Sequence, residues 1–194
     1  MTLAVLGGSF NPVHNGHLSL ARTVHSLLGY QRVLLIPAAS PPHKALSSGA
    51  TPEQRLEMLR LAVAGEAWLE VDDCEIQRGG TSWTIETLRE LTLRYSSSLE
   101  GKIGLVIGRD LASGFSQWRE ADLIPHFADI ILAGRPGGDQ NSAPEFPHRL
   151  LANDLVDASS SDIRSRIREK ASWESLVPEA VYRYILDNAL YQNS

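Results

Sequence analysis

Two histidines and a run of glycines near the start of the chain could together handle phosphate. Residues 7 to 17 read GGSFNPVHNGH, so His14 and His17 lie on either side of Gly16. Glycine lets the backbone approach a ligand closely because it has no Cβ. A helix that begins just after the histidines would direct free N–H groups and a positive dipole end to the same place. The segment therefore predicts a binding site for the phosphates of a nucleotide.

The same two histidines have other possible roles. Their spacing suits a pair of zinc ligands, but no third ligand lies nearby and Cys74 is the only cysteine. A structural role, in which the imidazoles cap the helix from the loop, is a second alternative. The phosphate interpretation is favoured because the glycine turn, the helix start and both imidazoles agree. Imidazole N–H groups can donate to phosphoryl oxygens as charge develops there.

A second group of candidate phosphate ligands follows residue 158, where three serines precede Asp162 and Arg164. Ser159 and Asp162 match a helix capping box, which is compatible with phosphate binding at the same helix start. Helical spacing places Arg164 near the helix opening and Arg166 on nearly the opposite face. We therefore predict that Arg164 contacts a polyphosphate and that Arg166 is a solvated surface charge.

Three further residues follow predicted strands, and each has a structural and a functional interpretation. Lys44, after Pro41 and Pro42, is either a surface lysine or a cation beside the site, and Arg135 has the same two possibilities. Trp118 follows a glycine turn after a central strand. Its ring belongs either to the core or to a wall that stacks on a base or a pyridine.

Alternating strands and helices would have to position these residues. Strand-like apolar runs lie at 2–6, 32–37, 102–107 and 128–132, an extended segment at 68–78 and a short last strand at 155–156. Helical patterns begin at 18 and lie at 52–64, 81–95, 160–170 and 178–190, with loops at 38–50 and 134–149. This alternation predicts an α/β fold, a Rossmann-like doubly wound parallel sheet with helices on both faces that the C-terminal helices close. Such sheets bind ligands beyond the carboxyl ends of their strands.

Composition limits the possible class of protein. A chain of 194 residues is expected to form a single domain, 1–194. The net charge of −5 argues against broad nucleic-acid binding, which needs a basic face. With one cysteine, no apolar leader and no apolar run long enough to span a bilayer, we expect a cytoplasmic protein that does not bind membranes.

Taken together, these motifs resemble those of a known enzyme family. The segment that ends in His14-Asn15-Gly16-His17 resembles the H-x-G-H motif of the nucleotidyltransferase superfamily, and in detail the bacterial nicotinate-nucleotide adenylyltransferases. Supporting segments occur in order through nearly the whole chain: 41–44, 54–59, 78–84, 108–110, 115 with 118, 135–137 and 159–164. The H-x-G-H motif alone would indicate only the superfamily, whereas this ordered combination is specific.

The resemblance implies a substrate pair and a set of roles. The substrates would be ATP and nicotinate mononucleotide, and Mg²⁺ would be held mainly by the ATP phosphates. The catalytic residues that hold the ATP phosphates would be His14, His17 and Arg164. Other ATP contacts would come from Gly8, Ser9, Phe10, Gly16, Gly108, Asp110, Ser160 and Ser161. The mononucleotide would be bound by Lys44 and Arg135 at its phosphate, Trp118 at its ring and Thr84 at its carboxylate.

This chain departs from the family pattern at three positions. Arg109 stands where a small residue is usual, and Ala158 and Ser161 replace isoleucine and threonine. Two other functions are carried forward: another H-x-G-H transferase, such as one that acts on phosphopantetheine, and a nucleotide-binding regulator without catalysis. A dinucleotide-dependent dehydrogenase is disfavoured because the G-x-G-x-x-G fingerprint is absent after the first strand.

Overall fold

Short runs of Val, Leu and Ile form a six-stranded sheet in which all neighbouring strands are parallel. A computed structural model describes residues 1–42, 49–134, 146–152 and 158–192. The strands are β1 (Leu3–Gly8), β2 (Arg32–Pro37), β3 (Leu69–Val71), β4 (Ile103–Gly108), β5 (Ala128–Gly134) and β6 (His148–Ala152). The α/β fold predicted from the alternating pattern is confirmed.

Helices connect the strands and cover both faces of the sheet. They are α1 (Asn15–Leu28), α2 (Pro52–Val63), α3 (Cys74–Arg78), α4 (Thr84–Arg94), α5 (Arg109–Ala112), α6 (Ile124–Phe127), α7 (Ser160–Glu169) and α8 (Glu179–Asp187). Short 3₁₀ turns lie at Phe115–Gln117 and Glu174–Leu176. Within the residues that the structure describes, no helix is long and apolar enough to cross a membrane.

The strand order β3-β2-β1-β4-β5-β6 creates one crevice at the carboxyl edge of the sheet. The chain builds outward from β1 to β2 and β3, and it then returns to place β4 on the other side of β1. The connections after β1 and β4 therefore leave the sheet in opposite directions. Ligands bind at such a reversal in doubly wound sheets, and Gly8 and Gly108 end the two strands that flank it.

Alternate residues of β1 belong to two separate cores, because successive side chains of a strand point to opposite faces. Ala4 and Leu6 pack in the core that is covered by α1, α2, α7 and α8. Leu3 and Val5 pack in the core on the opposite face, which α4 and α6 cover. Burial on both faces explains why β1 is an uninterrupted apolar run.

Local capping interactions define the start of α2, which lies where the helical pattern at 52–64 predicted a helix. Thr51 is its N-cap, and the Thr51 hydroxyl accepts the Gln54 N–H at 3.2 Å while the Gln54 side chain accepts the Thr51 N–H at 2.9 Å. Pro52 occupies the first helical position. Gly65, with φ of +93°, lies just beyond the end of the helix.

One predicted strand and one predicted loop differ from the structure. Residues 68–78 do not stay extended, because the Asp72 carboxylate accepts the Cys74 N–H at 3.0 Å and α3 begins there. β6 begins at His148, so its first two residues lie in the segment 134–149 that was predicted as a loop. β6 lies at the edge of the sheet and is largely exposed, with Leu151 buried and Leu150 exposed. Its mixed sequence therefore does not show the apolar pattern of a buried strand. The predicted strand at 155–156 lies outside the described residues.

Replacement of Thr51 by alanine should lower the free energy of unfolding by about 1 kcal/mol, because it removes the oxygen that accepts the Gln54 N–H. Urea denaturation measures this difference. Thr23→Ala is the matched control, since the Thr23 hydroxyl only returns to the Ser19 carbonyl inside α1 and alanine favours the helix. Equal stability of Thr51→Ala and wild type would contradict the role of the cap.

Candidate active site

The turn that connects β1 to α1 brings the glycines and the histidines together. Gly8 packs against the ring of Phe10, and a Cβ at Gly8 would lie 3.2 Å from Phe10 Cζ. Phe10 itself is 1% exposed and has φ of 47°, in the left-handed region that a bulky residue rarely adopts. Its ring is therefore too buried to contact a ligand directly. It packs instead against Gly8 and His17 and supports them. Backbone strain of this kind is frequent at functional sites.

His14 and His17 form a stacked pair at the start of α1. Their ring centroids are 3.7 Å apart, and the backbone N–H of His14 donates to Nδ1 of His17 at 3.2 Å. Because Nδ1 of His17 accepts, a neutral His17 carries its proton on Nε2 and can donate from there. The Nδ1 atom of His14 is buried and has no hydrogen-bond partner among the described residues.

Both imidazoles are neutral in the ligand-free protein at pH 7. Burial lowers the pKa of His14 from 6.5 to about 4. Burial, followed by the proximity of His14, lowers the pKa of His17 well below its ordinary value. The pair therefore offers N–H donors rather than two full positive charges, and the N–H groups of Asn15 and Gly16 at the helix start add further donors.

Three carbonyl groups of the 9–12 turn bond to side chains from distant helices. Arg55 Nη1 donates to the Ser9 carbonyl at 2.7 Å, Arg164 Nη1 to the Asn11 carbonyl at 2.6 Å, and the Ser160 hydroxyl to the Pro12 carbonyl at 2.9 Å. Carbonyl oxygens repel phosphate, so a turn that binds an anion has to satisfy them elsewhere. Residues 7–17 are termed the phosphate turn.

The start of α7 faces the phosphate turn. Ser159 caps the helix by accepting the Asp162 N–H at 3.1 Å. Arg164 reaches the turn and also donates to the Ser161 hydroxyl at 3.3 Å, whereas Arg166 pairs with Asp162 at 2.8 Å. Arg164 therefore points to the phosphate turn, as the helical spacing predicted, whereas Arg166 is not simply solvated but pairs with Asp162 and donates to the Ser172 carbonyl at 3.1 Å. The contact of Arg164 with a polyphosphate stays a prediction.

A cavity of about 320 Å³ opens beside the phosphate turn. Gly7, Gly8 and Ser9 form one wall, and Gly108 follows from β4. The other wall consists of Trp83, Thr84, Trp118 and Arg119. Trp118 packs on Phe115 at 5.2 Å between ring centroids, so its ring belongs both to the core and to the cavity.

A buried carboxyl group lies in this cavity, at a position that no sequence pattern indicated. Glu75 accepts the Thr87 hydroxyl at 2.6 Å and bonds to the Ser82 hydroxyl, and burial raises its pKa. Ser82 in turn accepts the Ala39 N–H at 2.9 Å. Glu75 therefore links α3 and α4 to the end of β2 and fixes the wall that carries Thr84.

Comparison with known proteins gives a consistent answer. Residues 5–166 match the family model described as cytidylyltransferase-like. A protein of Treponema pallidum named "Probable nicotinate-nucleotide adenylyltransferase" is 38% identical over 204 residues, with 100% of both chains covered. A protein of the same name from Geotalea daltonii is 34% identical, with 100% of this chain and 99% of the relative covered.

The chain belongs to the nicotinate-nucleotide adenylyltransferase family, within the cytidylyltransferase-like proteins. Among solved structures, the Plasmodium falciparum nicotinic acid mononucleotide adenylyltransferase complexed with NaAD has the same fold, with a TM-score of 0.82. The similarity covers 100% of this chain and 98% of the other. Because the sequence identity is only 16%, it shows a shared fold and nothing further.

Several residues that the family resemblance assigns to substrates cannot be placed. Lys44 and Arg135 lie outside the described residues, as does the rest of 43–48 and 135–145. Asp110 belongs to α5, but its side chain is not described. The unusual Arg109 lies across the end of β5, where a Cβ on Gly134 would be 2.2 Å from Arg109 Cδ.

Besides Glu75, the sequence analysis missed three residues around the phosphate turn. Arg55 lies in a segment that supported the resemblance, yet its buried position and its bond to the Ser9 carbonyl were not foreseen. Asn11 and Tyr191 are joined by a buried hydrogen bond of 2.8 Å, across 180 residues of sequence. No local pattern encodes contacts of this kind.

Acid should destabilise the fold through His14. The unfolded chain takes up a proton near pH 6.5, whereas the folded protein resists it until about pH 4. The stability that depends on a neutral His14 is present above pH 6.5 and is lost as the pH falls, by on the order of 3 kcal/mol.

Urea denaturation between pH 7 and pH 4 measures this effect. The free energy of unfolding should fall more steeply for wild type than for His14→Gln, in which no imidazole can be protonated at that position. Carboxylates titrate in both proteins and cancel in the difference. Parallel curves would contradict the lowered pKa of His14.

Proposed function

We propose that this protein transfers the adenylyl group of ATP to nicotinate mononucleotide, which yields nicotinate adenine dinucleotide and pyrophosphate for NAD synthesis. One observation carries the proposal: Gly7, Gly8 and Ser9 belong both to the phosphate turn and to the wall of the cavity. A nucleotide on the turn and a ring in the cavity would share this wall. Their phosphates would then meet where adenylyl transfer requires them.

The start of α4 supports a carboxylate as the group that is recognised in the cavity. Thr84 and Ile85 are the first two residues of this helix, and their N–H groups have no carbonyl within it to bond. Such a helix start favours an anion over a neutral amide. With Trp118 as a flat surface for the pyridine, the wall is suited to nicotinate in preference to nicotinamide.

The reaction needs no general base. The second pKa of a phosphate monoester is about 6, so the mononucleotide is a competent nucleophile at pH 7. A monoester oxygen attacks the α-phosphorus of ATP, a new P–O bond forms, the bond between the α-phosphorus and its bridging oxygen breaks, and pyrophosphate leaves in line. Positioning and charge stabilisation account for most of the catalysis of such transfers.

The protein would supply hydrogen-bond donors and positive charge for this step. His17 donates from Nε2, His14 lies beside it, and Arg164 brings a positive charge to the same turn. Lys44 and Arg135 are proposed to meet the phosphate of the mononucleotide. Ser161, Ser160 and Gly16 would add hydroxyl and backbone donors at the two helix starts.

We propose that Mg²⁺ enters with ATP. In the ranges that the structure describes, no group of three or more His, Cys, Asp and Glu side chains could hold a metal ion. The donor set of His14, His17 and Arg164 suits phosphate oxygens better than a hard cation. When bound together with ATP, Mg²⁺ would offset negative charge on the leaving pyrophosphate.

A cytoplasmic location is part of the proposal. Cys74 is the only cysteine and is buried. Burial also raises the pKa of its thiol, which keeps it protonated and unreactive. A lone inert thiol is typical of proteins from a reducing compartment.

His17→Ala should lower kcat by about a hundredfold or more, because it removes a donor to the charge that develops in the transition state. Pyrophosphate release from ATP and nicotinate mononucleotide measures the rate. His126→Ala is the matched control, since this exposed histidine lies on α6, away from the phosphate turn. A folded His17→Ala variant with near-normal turnover would refute the assignment.

A substrate panel tests the reaction itself. With Mg-ATP, we expect strong pyrophosphate release with nicotinate mononucleotide and little with nicotinamide mononucleotide or 4′-phosphopantetheine. Comparable rates with both mononucleotides would keep the reaction and overturn the preference for the acid. Release with phosphopantetheine alone would indicate the other transferase, and ATP binding without release in any mixture would indicate a regulator.

A further inference from the structure

Tyr191 is a buried polar residue that the proposed mechanism does not use. It follows α8, is 4% exposed and has φ of 66°, a left-handed conformation that costs energy in any residue with a side chain. Leu190 beside it is also buried in the core that α1, α2, α7 and α8 cover. The segment after α8 is therefore held inward against its own backbone preference.

The hydroxyl of Tyr191 ends at the phosphate turn. It donates to Oδ1 of Asn11 at 2.8 Å in a buried hydrogen bond. Burial raises the pKa of Tyr191, and the nearby charges of Arg164 and Arg55 only partly oppose this. The hydroxyl therefore stays protonated and remains a donor at any pH at which the reaction would run.

Asn11 connects Tyr191 to two other parts of the site. Its Oδ1 also accepts the Ala50 N–H at 3.1 Å, where the segment that contains Lys44 rejoins α2. A Cβ on Gly49 would lie 2.5 Å from Asn11 Nδ2, so the fit on this side is close. The backbone carbonyl of Asn11 accepts from Arg164. A displacement of Asn11 would therefore shift both the Arg164 side chain and the 49–50 segment.

We propose that Tyr191 is a positioning residue for adenylyl transfer, which acts through Asn11 on Arg164 and the phosphate turn. The segment after α8 thereby completes the active site although it touches no substrate. This inference rests on the proposed function for its kinetic test. The underlying geometry predicts an effect on polyphosphate binding as well, which can be measured without turnover.

Tyr191→Phe is the decisive variant, because it removes one oxygen and keeps the ring in the core. Asn11 Oδ1 retains the Ala50 N–H, so the fold should remain intact. We expect kcat to fall about tenfold, the scale of a small misplacement of a catalytic group, and the KM for nicotinate mononucleotide to stay within about twofold. Tyr182→Phe is the matched control, since it removes a tyrosine hydroxyl from α8 itself, where the ring packs on Trp173.

A double-mutant cycle separates positioning from a general loss of stability. If Tyr191 acts through Arg164, then Tyr191→Phe should reduce kcat by less than about threefold in an Arg164→Lys background. Equal effects in both backgrounds would overturn the proposal. So would a lowered melting temperature with an unchanged kcat, which would make Tyr191 a structural residue only.

Calorimetric titration with inorganic tripolyphosphate distinguishes failure of this inference from failure of the proposed function. Tyr191→Phe should weaken tripolyphosphate binding by about threefold to tenfold relative to wild type and to Tyr182→Phe. If wild type releases no pyrophosphate yet shows this difference, the function fails and the positioning role stands. If wild type is active and all three proteins bind tripolyphosphate equally, the positioning role fails.

Discussion

The constraint on which the rest of the site depends is the need to turn carbonyl oxygens away from a bound anion. A backbone turn carries as many acceptors as donors, and only the donors are useful beside phosphate. In this protein the carbonyls of Ser9, Asn11 and Pro12 receive hydrogen bonds from Arg55, Arg164 and Ser160. The helices that supply these side chains, α2 and α7, are thus parts of the phosphate turn as much as the glycines are.

The site also contains few uncompensated positive charges. A site for polyphosphate that held several fixed cations would repel itself in the absence of ligand. Burial keeps the two imidazoles neutral. The buried Arg55 is compensated by backbone carbonyls, because it donates to the Ser9 carbonyl and, from Nη2, to the Ala38 carbonyl at 2.7 Å. The ligand-free turn can therefore exist fully formed, which is the condition for electrostatic stabilisation without reorganisation during the reaction.

Features that depend on interactions between residues close in sequence could be predicted, whereas features that depend on contacts between distant segments could not. The strand alternation, the helix at 52–64 and the opposite directions of Arg164 and Arg166 depend on neighbours within a helical turn or a strand, and these predictions are confirmed. The bond between Tyr191 and Asn11 spans 180 residues and has no local signal. Glu75 was hidden in a stretch that was read as extended, and the edge strand β6 buries too little to show a pattern. The roles of Lys44, Arg135 and Asp110 stay predictions.

The contact between Arg109 and Gly134 joins the first residue of α5 to the last residue of β5. A Cβ at 134 would lie 2.2 Å from Arg109 Cδ, so any larger residue at 134 would require the flexible arginine side chain to move. A residue transferred to position 134 from a relative would therefore change where the guanidinium of Arg109 lies, and with it the positive charge at the carboxyl edge of the sheet.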